Sequence, residues 1–483
     1  MLFNSFDFAV FLPIVFLVYW ALKDFPLKWQ NVVLLIASYL FYGWWDYRFL
    51  GLILISTLID YGAGIAIHKY RAQRDKSRLF LVISLLSNLG LLFFFKYYNF
   101  FVQNVDDMMV VFGYHLNTST LNILLPVGIS FYTFQTMSYS IDVYKGKLEP
   151  NHDLVSFAVY VSFFPQLVAG PIERAVNLMP QFYSKRKFDY AEAVQGLRQI
   201  LWGMFKKVVI ADNCAVYANQ IFDQYTDYNG STLILGALFF TFQIYGDFSG
   251  YSDIAIGVAR LFGFTLMRNF AFPYFSRDIA EFWRRWHISL STWFKDYVYI
   301  PLGGSRGTVW LAVRNTFVIF LVSGFWHGAN WTFIVWGGLN AVYFLPLLLS
   351  NKNRRHLGDI APGGLLSGIR ELPAILGTFC LTVFAWIFFR AESIGHAWGY
   401  IKGIFTQGLF SLPHFQGMTD AAYTVLYVCL MIVIEWQARN EEYALETIDT
   451  KLSKPLRYLG YYSLIALIFF SLGQEQEFIY FQF

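Results

Sequence analysis

Charge is scarce in this chain. Asp, Glu, Lys and Arg make up 14% of its 483 residues, against about 25% in an ordinary soluble domain. Hydrophobic residues make up 57%, more apolar surface than so thin a charged shell could cover, which excludes a water-soluble fold. Cysteine is scarcer still. Cys214, Cys380 and Cys429 lie far apart in apolar surroundings, which excludes a disulfide framework and a local zinc pattern. The N-terminus lacks the basic segment of a removable signal peptide, so the apolar run Phe8–Leu22 reads as a retained first span. There is no Walker A loop or dinucleotide fingerprint. The net charge of +4 is modest. On a membrane chain it bears first on topology and anionic headgroups, not on nucleic acid.

What is abundant is aromatic. Phe 52, Tyr 32 and Trp 15 make up 20% of the chain, and mean hydropathy is +0.45. Lipid tolerates such a surface, and Trp and Tyr suit its two interfaces. A spanning helix needs roughly 20 mostly apolar residues. Candidate spans are 6–22, 31–45, 48–68, 79–101, 121–143, 153–169, 194–222, 231–263, 309–325, 329–350, 372–390, 421–438 and 457–473. Gly and Pro interrupt several of them, so the expectation is an all-α polytopic membrane protein. It would have roughly 10–13 membrane segments, some re-entrant or interfacial. Residues 1–473 read as one membrane domain and 474–483 as a short tail.

Lys and Arg set the expected orientation. They crowd the 22–30, 69–78 and 144–152 connections, while 102–120 carries Asp106 and Asp107 and neither Lys nor Arg. Alternation puts the N-terminus outside and the basic connections inside. The basic 439–457 connection is then inside, and the tail emerges outside.

Residues 264–308 break the pattern. Arg268, Arg277, Arg284, Arg285, Lys295 and Arg306 alternate there with Phe, Trp and Tyr, and Pro301 and Gly303–Gly304 interrupt the run. Amphipathic helices lying at, or dipping into, the cytoplasmic face are expected. They would form an entrance for an anionic donor.

His327 stands in SGFWHGANWTFIVWGGLNA, within a stretch uncharged from Asn315 through Leu349. An ionisable group at membrane depth lines a cavity, pairs, or acts. The alternative is a neutral packing histidine. His287, in FWRRWHISLSTW, sits among Trp283, Trp286, Leu290 and Trp293 at helical spacing. An aromatic interface belt explains it equally well. The two histidines are 40 residues apart, far outside any H-x-x-x-H spacing, and carboxylate or Cys partners are missing, so no metal is expected. Acyl transfer needs none. A thioester is already activated, and a neutral imidazole can take the proton from an accepting hydroxyl.

YGDFSGYSDIAIG puts Asp247 and Asp253 in an apolar run. They could bind a substrate hydroxyl, or satisfy a broken helix as packing glue. LVAGPIERA, with Glu173 and Arg174, reads as a helix break carrying its own ion pair. The tail ends in FIYFQF, either an aromatic anchor or a segment presenting Tyr480 between two Phe rings as a nucleophile.

LVAGPIERA, YGDFSGYSDIAIG, RDIAEFWRRWHISLSTWFKDYVYIPLGGSR and SGFWHGANWTFIVWGGLNA together resemble the membrane-bound O-acyltransferase family. Within it the chain is similar to the bacterial alginate and cell-surface polysaccharide O-acetylases, related to the teichoic acid D-alanylation membrane protein. The resemblance covers essentially the whole chain. It implies a helical bundle around a central tunnel in the bacterial inner membrane. His327 would be the catalytic residue and His287 the second active-site histidine. Trp326, Asn330, Trp283, Arg284, Arg285 and Asp247 become candidate substrate-binding residues. It implies no bound cofactor or metal, acetyl-CoA or an acylated carrier protein as donor, a polysaccharide acceptor, and an SGNH-type partner outside. The tail would take the acyl group on Tyr480. A D-alanyl or lipid acyltransferase of the same family is the alternative. A transporter would predict inverted repeats, and none is visible.

Overall fold

The computed structural model describes residues 1–114, 120–168, 170–362, 365–473, 476 and 478–479. Every regular element among them is a helix. The chain forms two compact units, Met1–Gly196 with Val258–Met267, and Leu197–Gly257 with Arg268–Phe483. Among the described residues, seven helical runs are long and apolar enough to cross a membrane: Leu27–Lys69, Arg74–Val111, Gly230–Leu261, Val309–His327, Trp331–Leu349, Gly368–Arg390 and Met418–Gln437. Two shorter apolar runs, Phe6–Ala21 and Leu154–Leu167, accompany them.

In the first unit, α1 (Phe6–Ala21) starts at Ser5, whose hydroxyl accepts from Phe8 N. The long run Leu27–Lys69 is two helices, α2 (Leu27–Asp46) and α3 (Leu50–Lys69). Asp46, in extended backbone, breaks it and caps the short turn Tyr47–Phe49. Each half has 20 residues, the length of one crossing. α3 packs against α4 (Arg74–Leu92) and α5 (Ile129–Tyr144). At their centre lies Asp60, fully buried. It accepts from Ser84 Oγ at 2.5 Å, Asn88 Nδ2 at 2.8 Å and Ser140 Oγ at 3.3 Å. The three helices are thereby tied by polar groups, the expected device where water is absent.

The span expected over 121–143 is shorter than its hydropathy suggested. Its helix begins only at Ile129. Pro126 lacks an N–H and pushes its predecessor out of helical backbone. Gly128 is left-handed (φ 74°), and a Cβ there would lie 2.6 Å from Leu167 O.

The second unit holds α6 (Asp212–Asp223), α7 (Gly230–Leu261) as far as Gly257, the short α8 (Ile279–Arg285) and α9 (Ile288–Phe294), and then α10 (Val309–His327) and α11 (Trp331–Leu349). α12 (Leu365–Arg390), α13 (Ile394–Thr406), α14 (Met418–Gln437) and α15 (Lys454–Ser471) complete it. Within 264–308 lie the two short helices α8 and α9, followed by a π-helical turn at Lys295–Tyr299.

Candidate active site

The site is built by α10 and α11, a tight hairpin. Thr308 caps the first helix and Asn330 the second, each side chain accepting a main-chain N–H of its own first turn. Between them stands Gly328 in extended backbone. The helices meet at glycines. A Cβ on Gly324 would lie 2.3 Å from Phe333 O, and one on Gly337 would lie 2.3 Å from Phe320 O. This close crossing puts His327 at the end of α10, 5% exposed. Its imidazole sees aromatic rings edge-on: Trp326 at 5.0 Å, Trp336 at 5.1 Å and Phe389 at 5.4 Å between centroids.

His287 arrives differently. It stands between α8 and α9 with φ 43° and ψ 56°. Left-handed backbone costs a non-glycine residue about 1–2 kcal/mol, so its surroundings must impose it. They do so through Asn269. Its carbonyl accepts from Ile288 N at 2.9 Å. Its Oδ1 accepts from Ser289 N at 3.2 Å and Ser289 Oγ at 2.9 Å. Its Nδ2 donates to Ser252 Oγ on α7 at 3.0 Å. Asn269 thus straps the turn that carries His287 to α7. The His287 ring lies 4.5 Å from Phe248 and 6.4 Å from Trp326. Both imidazoles therefore border one indole, that of Trp326. Burial pushes the His287 imidazolium well below the ordinary histidine value. The ring is neutral at neutral pH, with one N–H to donate and one nitrogen to accept.

The other candidates divide. Trp283 Nε1 donates to Asn340 Oδ1 on α11 at 3.2 Å. Arg284 donates to the carbonyls of Asn353 and His356 at 2.9 and 2.8 Å. Arg285 pairs with Glu281 at 3.0 Å and donates to Ala271 O at 3.2 Å. Asn330 donates to Glu392 O at 2.8 Å besides capping α11. The chain's own groups thus occupy these side chains. Of the basic residues in 264–308, Lys295 and Arg306 are exposed.

Asp247 and Asp253 meet two residues that the sequence reading passed over, Lys206 and Lys207. Both belong to the π-helical turn Phe205–Ala211. Lys206 Nζ lies 2.6 Å from Asp253 Oδ2, and Lys207 Nζ lies 2.8 Å from Asp247 Oδ1 and 2.7 Å from Asp212 Oδ1. Two adjacent lysines in an apolar run, facing two aspartates in another, were the available signal.

The described part of the tail reaches this cluster. Ile479 N donates to Asp247 Oδ2 at 2.7 Å, and Lys207 Nζ donates to Gln476 O at 3.2 Å. Phe478 is fully buried, 4.3 Å from the Tyr251 ring and 6.2 Å from that of Phe248. Phe248 thus touches His287 on one side and the tail on the other. Tyr480 lies outside the described residues. Among the described residues, no three His, Cys, Asp or Glu side chains converge as a metal site requires.

Residues 148–359 match the membrane-bound O-acyltransferase family. The chain is 40% identical over 413 residues to the probable alginate O-acetylase AlgI of Pseudomonas aeruginosa, covering 85% of this chain and 76% of that protein. It is 34% identical over 534 residues to the peptidoglycan O-acetyltransferase of Helicobacter pylori, covering 100% and 98%. It is 29% identical over 335 residues to the teichoic acid D-alanyltransferase of Streptococcus thermophilus, covering 65% and 74%. The chain belongs to the membrane-bound O-acyltransferase family. It is an O-acyltransferase and a multi-pass membrane protein.

For an O-acyltransferase the chemical need is small: a base for the accepting hydroxyl, and a donor for the oxyanion that forms on the acyl carbonyl. A pair of histidines in an aromatic, water-poor setting can meet both needs. The matched family region contains His287, His327 and the Lys207–Asp247 pair, and ends before the tail.

Proposed function

We propose that this protein moves an acetyl group from a cytoplasmic thioester, acetyl-CoA or an acylated carrier protein, to hydroxyls of a cell-envelope or exported polysaccharide of the alginate type. The supporting observation is that His327 and His287, 40 residues apart in sequence, are both buried against the indole of Trp326. The names of the similar proteins supply the acetyl group and the polymer. In this reading the chain sits in the bacterial inner membrane with both termini outside. Lys295 and Arg306, both exposed, receive the anionic donor.

His327 takes the proton of the accepting hydroxyl as its oxygen attacks the thioester carbonyl. Neutral His287 donates an N–H to the oxyanion. The C–S bond then breaks, and the leaving thiolate recovers the proton from His327. The first acceptor is the phenol of Tyr480, and an SGNH-type partner outside moves the ester on to the polymer. Support for this relay comes from Phe478 and Ile479, the residues just before Tyr480, which are buried beside Phe248 and held by Asp247.

Intact mass of the C-terminal peptide after incubation with acetyl-CoA tests the relay. One acetyl adduct on Tyr480, lost in Tyr480→Phe along with activity, is expected. No adduct, with activity kept in Tyr480→Phe, would remove the relay and leave the histidine chemistry standing. The similarity to a teichoic acid D-alanyltransferase favours a second reading, D-alanyl transfer. Labelled D-alanyl carrier protein, run beside labelled acetyl-CoA, distinguishes the two.

A further inference from the structure

The second unit also contains a cavity of about 480 Å³ whose lining includes neither His287 nor His327. It lies among α7, α12 and α14 and is walled by Phe242, Tyr245, Phe275, Ile375, Phe379 and Met431, among others. These three helices belong to runs apolar enough to cross a membrane. The inner end is closed by buried Tyr245, Phe275, Ile375 and Met431. The mouth is formed by Ile369, Leu372, Leu376 and Val433, all on the protein surface. The opening is therefore sideways, through an apolar helix face of the kind that meets lipid. One carboxylate reaches the wall, that of Glu435, and both its oxygens already accept from Tyr245 Oη at 2.9 Å. A polar ligand would find almost nothing to bind. Nor is an empty slot expected: the cavity is about three times a ~150 Å³ engineered apolar hole that already takes up benzene.

The rim carries a second feature. Trp436 lines the slot near the end of α14, and the Arg439 guanidinium lies 4.9 Å from its ring centre. Arg439 donates to the carbonyls of Ile360, Trp436 and Ala361. These are three bonds from a group with five N–H donors. A tryptophan and an arginine together mark headgroup depth, and the remaining donors suit a phosphate.

From these features we infer that the slot is a glycerophospholipid site. One acyl chain enters between α12 and α14, and the phosphate rests at Arg439. Neither histidine lines the slot, and the inference does not depend on how the acyl-transfer chemistry is assigned.

The test uses the full-length protein in nanodiscs of palmitoyl-oleoyl phosphatidylethanolamine and phosphatidylglycerol, released in a native mass spectrometer. Wild type is expected to retain one phospholipid at activation energies that strip the rest. Leu372→Trp/Leu376→Trp blocks the mouth from its exposed side and should lose that lipid. Arg439→Gln leaves the slot intact and should weaken retention about tenfold, the effect of one charge-assisted hydrogen bond. Three results would overturn the site: wild type emerging bare, a retained mass lacking phosphate, or both variants keeping the same lipid. If the Trp pair fails to fold, the wild-type and Arg439→Gln measurements still decide.

Discussion

The main-chain N–H of Ile479 donates a 2.7 Å hydrogen bond to the carboxylate of Asp247, 232 residues earlier in the chain. The same carboxylate pairs with Lys207, which in turn reaches Gln476 O. Two buried charges thus grip the tail by its backbone, whatever side chains it carries. Asp247→Asn keeps an acceptor for Ile479 but strips Lys207 of one of two counter-ions. Breaking a buried pair costs about 3–5 kcal/mol. Hydrogen exchange at the Ile479 amide is expected to accelerate at least about tenfold while exchange in α10 and α11 stays slow. Unchanged exchange in the tail would show that the contact is incidental.

Asn269 is expected to act through His287. Asn269→Ala leaves Ser289 N, Ser289 Oγ and Ser252 Oγ without the bonds they now make to it, and the left-handed turn loses its strap. Each buried group left unsatisfied costs about 1–3 kcal/mol. The steady-state signature is a fall in kcat of at least about tenfold with KM little changed. Asn269→Asp retains Oδ1 and should recover part of the loss. Identical kcat in the Ala and Asp variants, or a change in KM alone, would speak against positioning.

The α10–α11 hairpin gives a matched pair of substitutions. A methyl group on Gly324 would stand 2.3 Å from Phe333 O, whereas one on Gly338 would meet only Leu321 Cδ2 at 3.8 Å. Gly324→Ala is expected to destabilise by roughly 2 kcal/mol or more. Gly338→Ala should be neutral or gain up to about 1 kcal/mol of helix propensity. Thermal unfolding of the two variants in one detergent checks the difference in sign.

Glu173 sets a pH dependence. Burial pushes its carboxyl up from an ordinary 4.5 to about 7, with the main-chain N–H of Met267 offsetting part of the rise. The folded protein then holds a proton that the unfolded chain releases. That stabilisation is full below about pH 4.5 and is lost as pH rises through about 7. Between those limits stability falls by about 1.4 kcal/mol per pH unit. Glu173→Gln removes this slope, so the Tm of the variant relative to wild type should climb from pH 5 to pH 7.5. A flat difference would mean that Glu173 ionises as freely in the fold as outside it.

The burial of His327 was legible in the sequence, because the uncharged apolar run around it is local. The membrane class was legible for the same reason. The truncated helix at Ile129 depended on one proline outweighing a favourable hydropathy. The partnership of Lys207 with Asp247 was signalled only by charged pairs in two apolar runs, and tertiary packing alone brings them together. The left-handed backbone at His287 was hidden. Nothing local demands it, and it exists because Asn269, 18 residues upstream, holds the turn from outside.

Acetyl ester on the exported polymer, measured in cells whose own copy is replaced by His327→Ala, tests the central claim most directly. The variant must be present at the wild-type level and unfold at the wild-type temperature. Loss of general-base catalysis removes about 10²–10⁴-fold in rate, so ester content at background is predicted. Ester within a few-fold of wild type would contradict the assignment of His327 as the base.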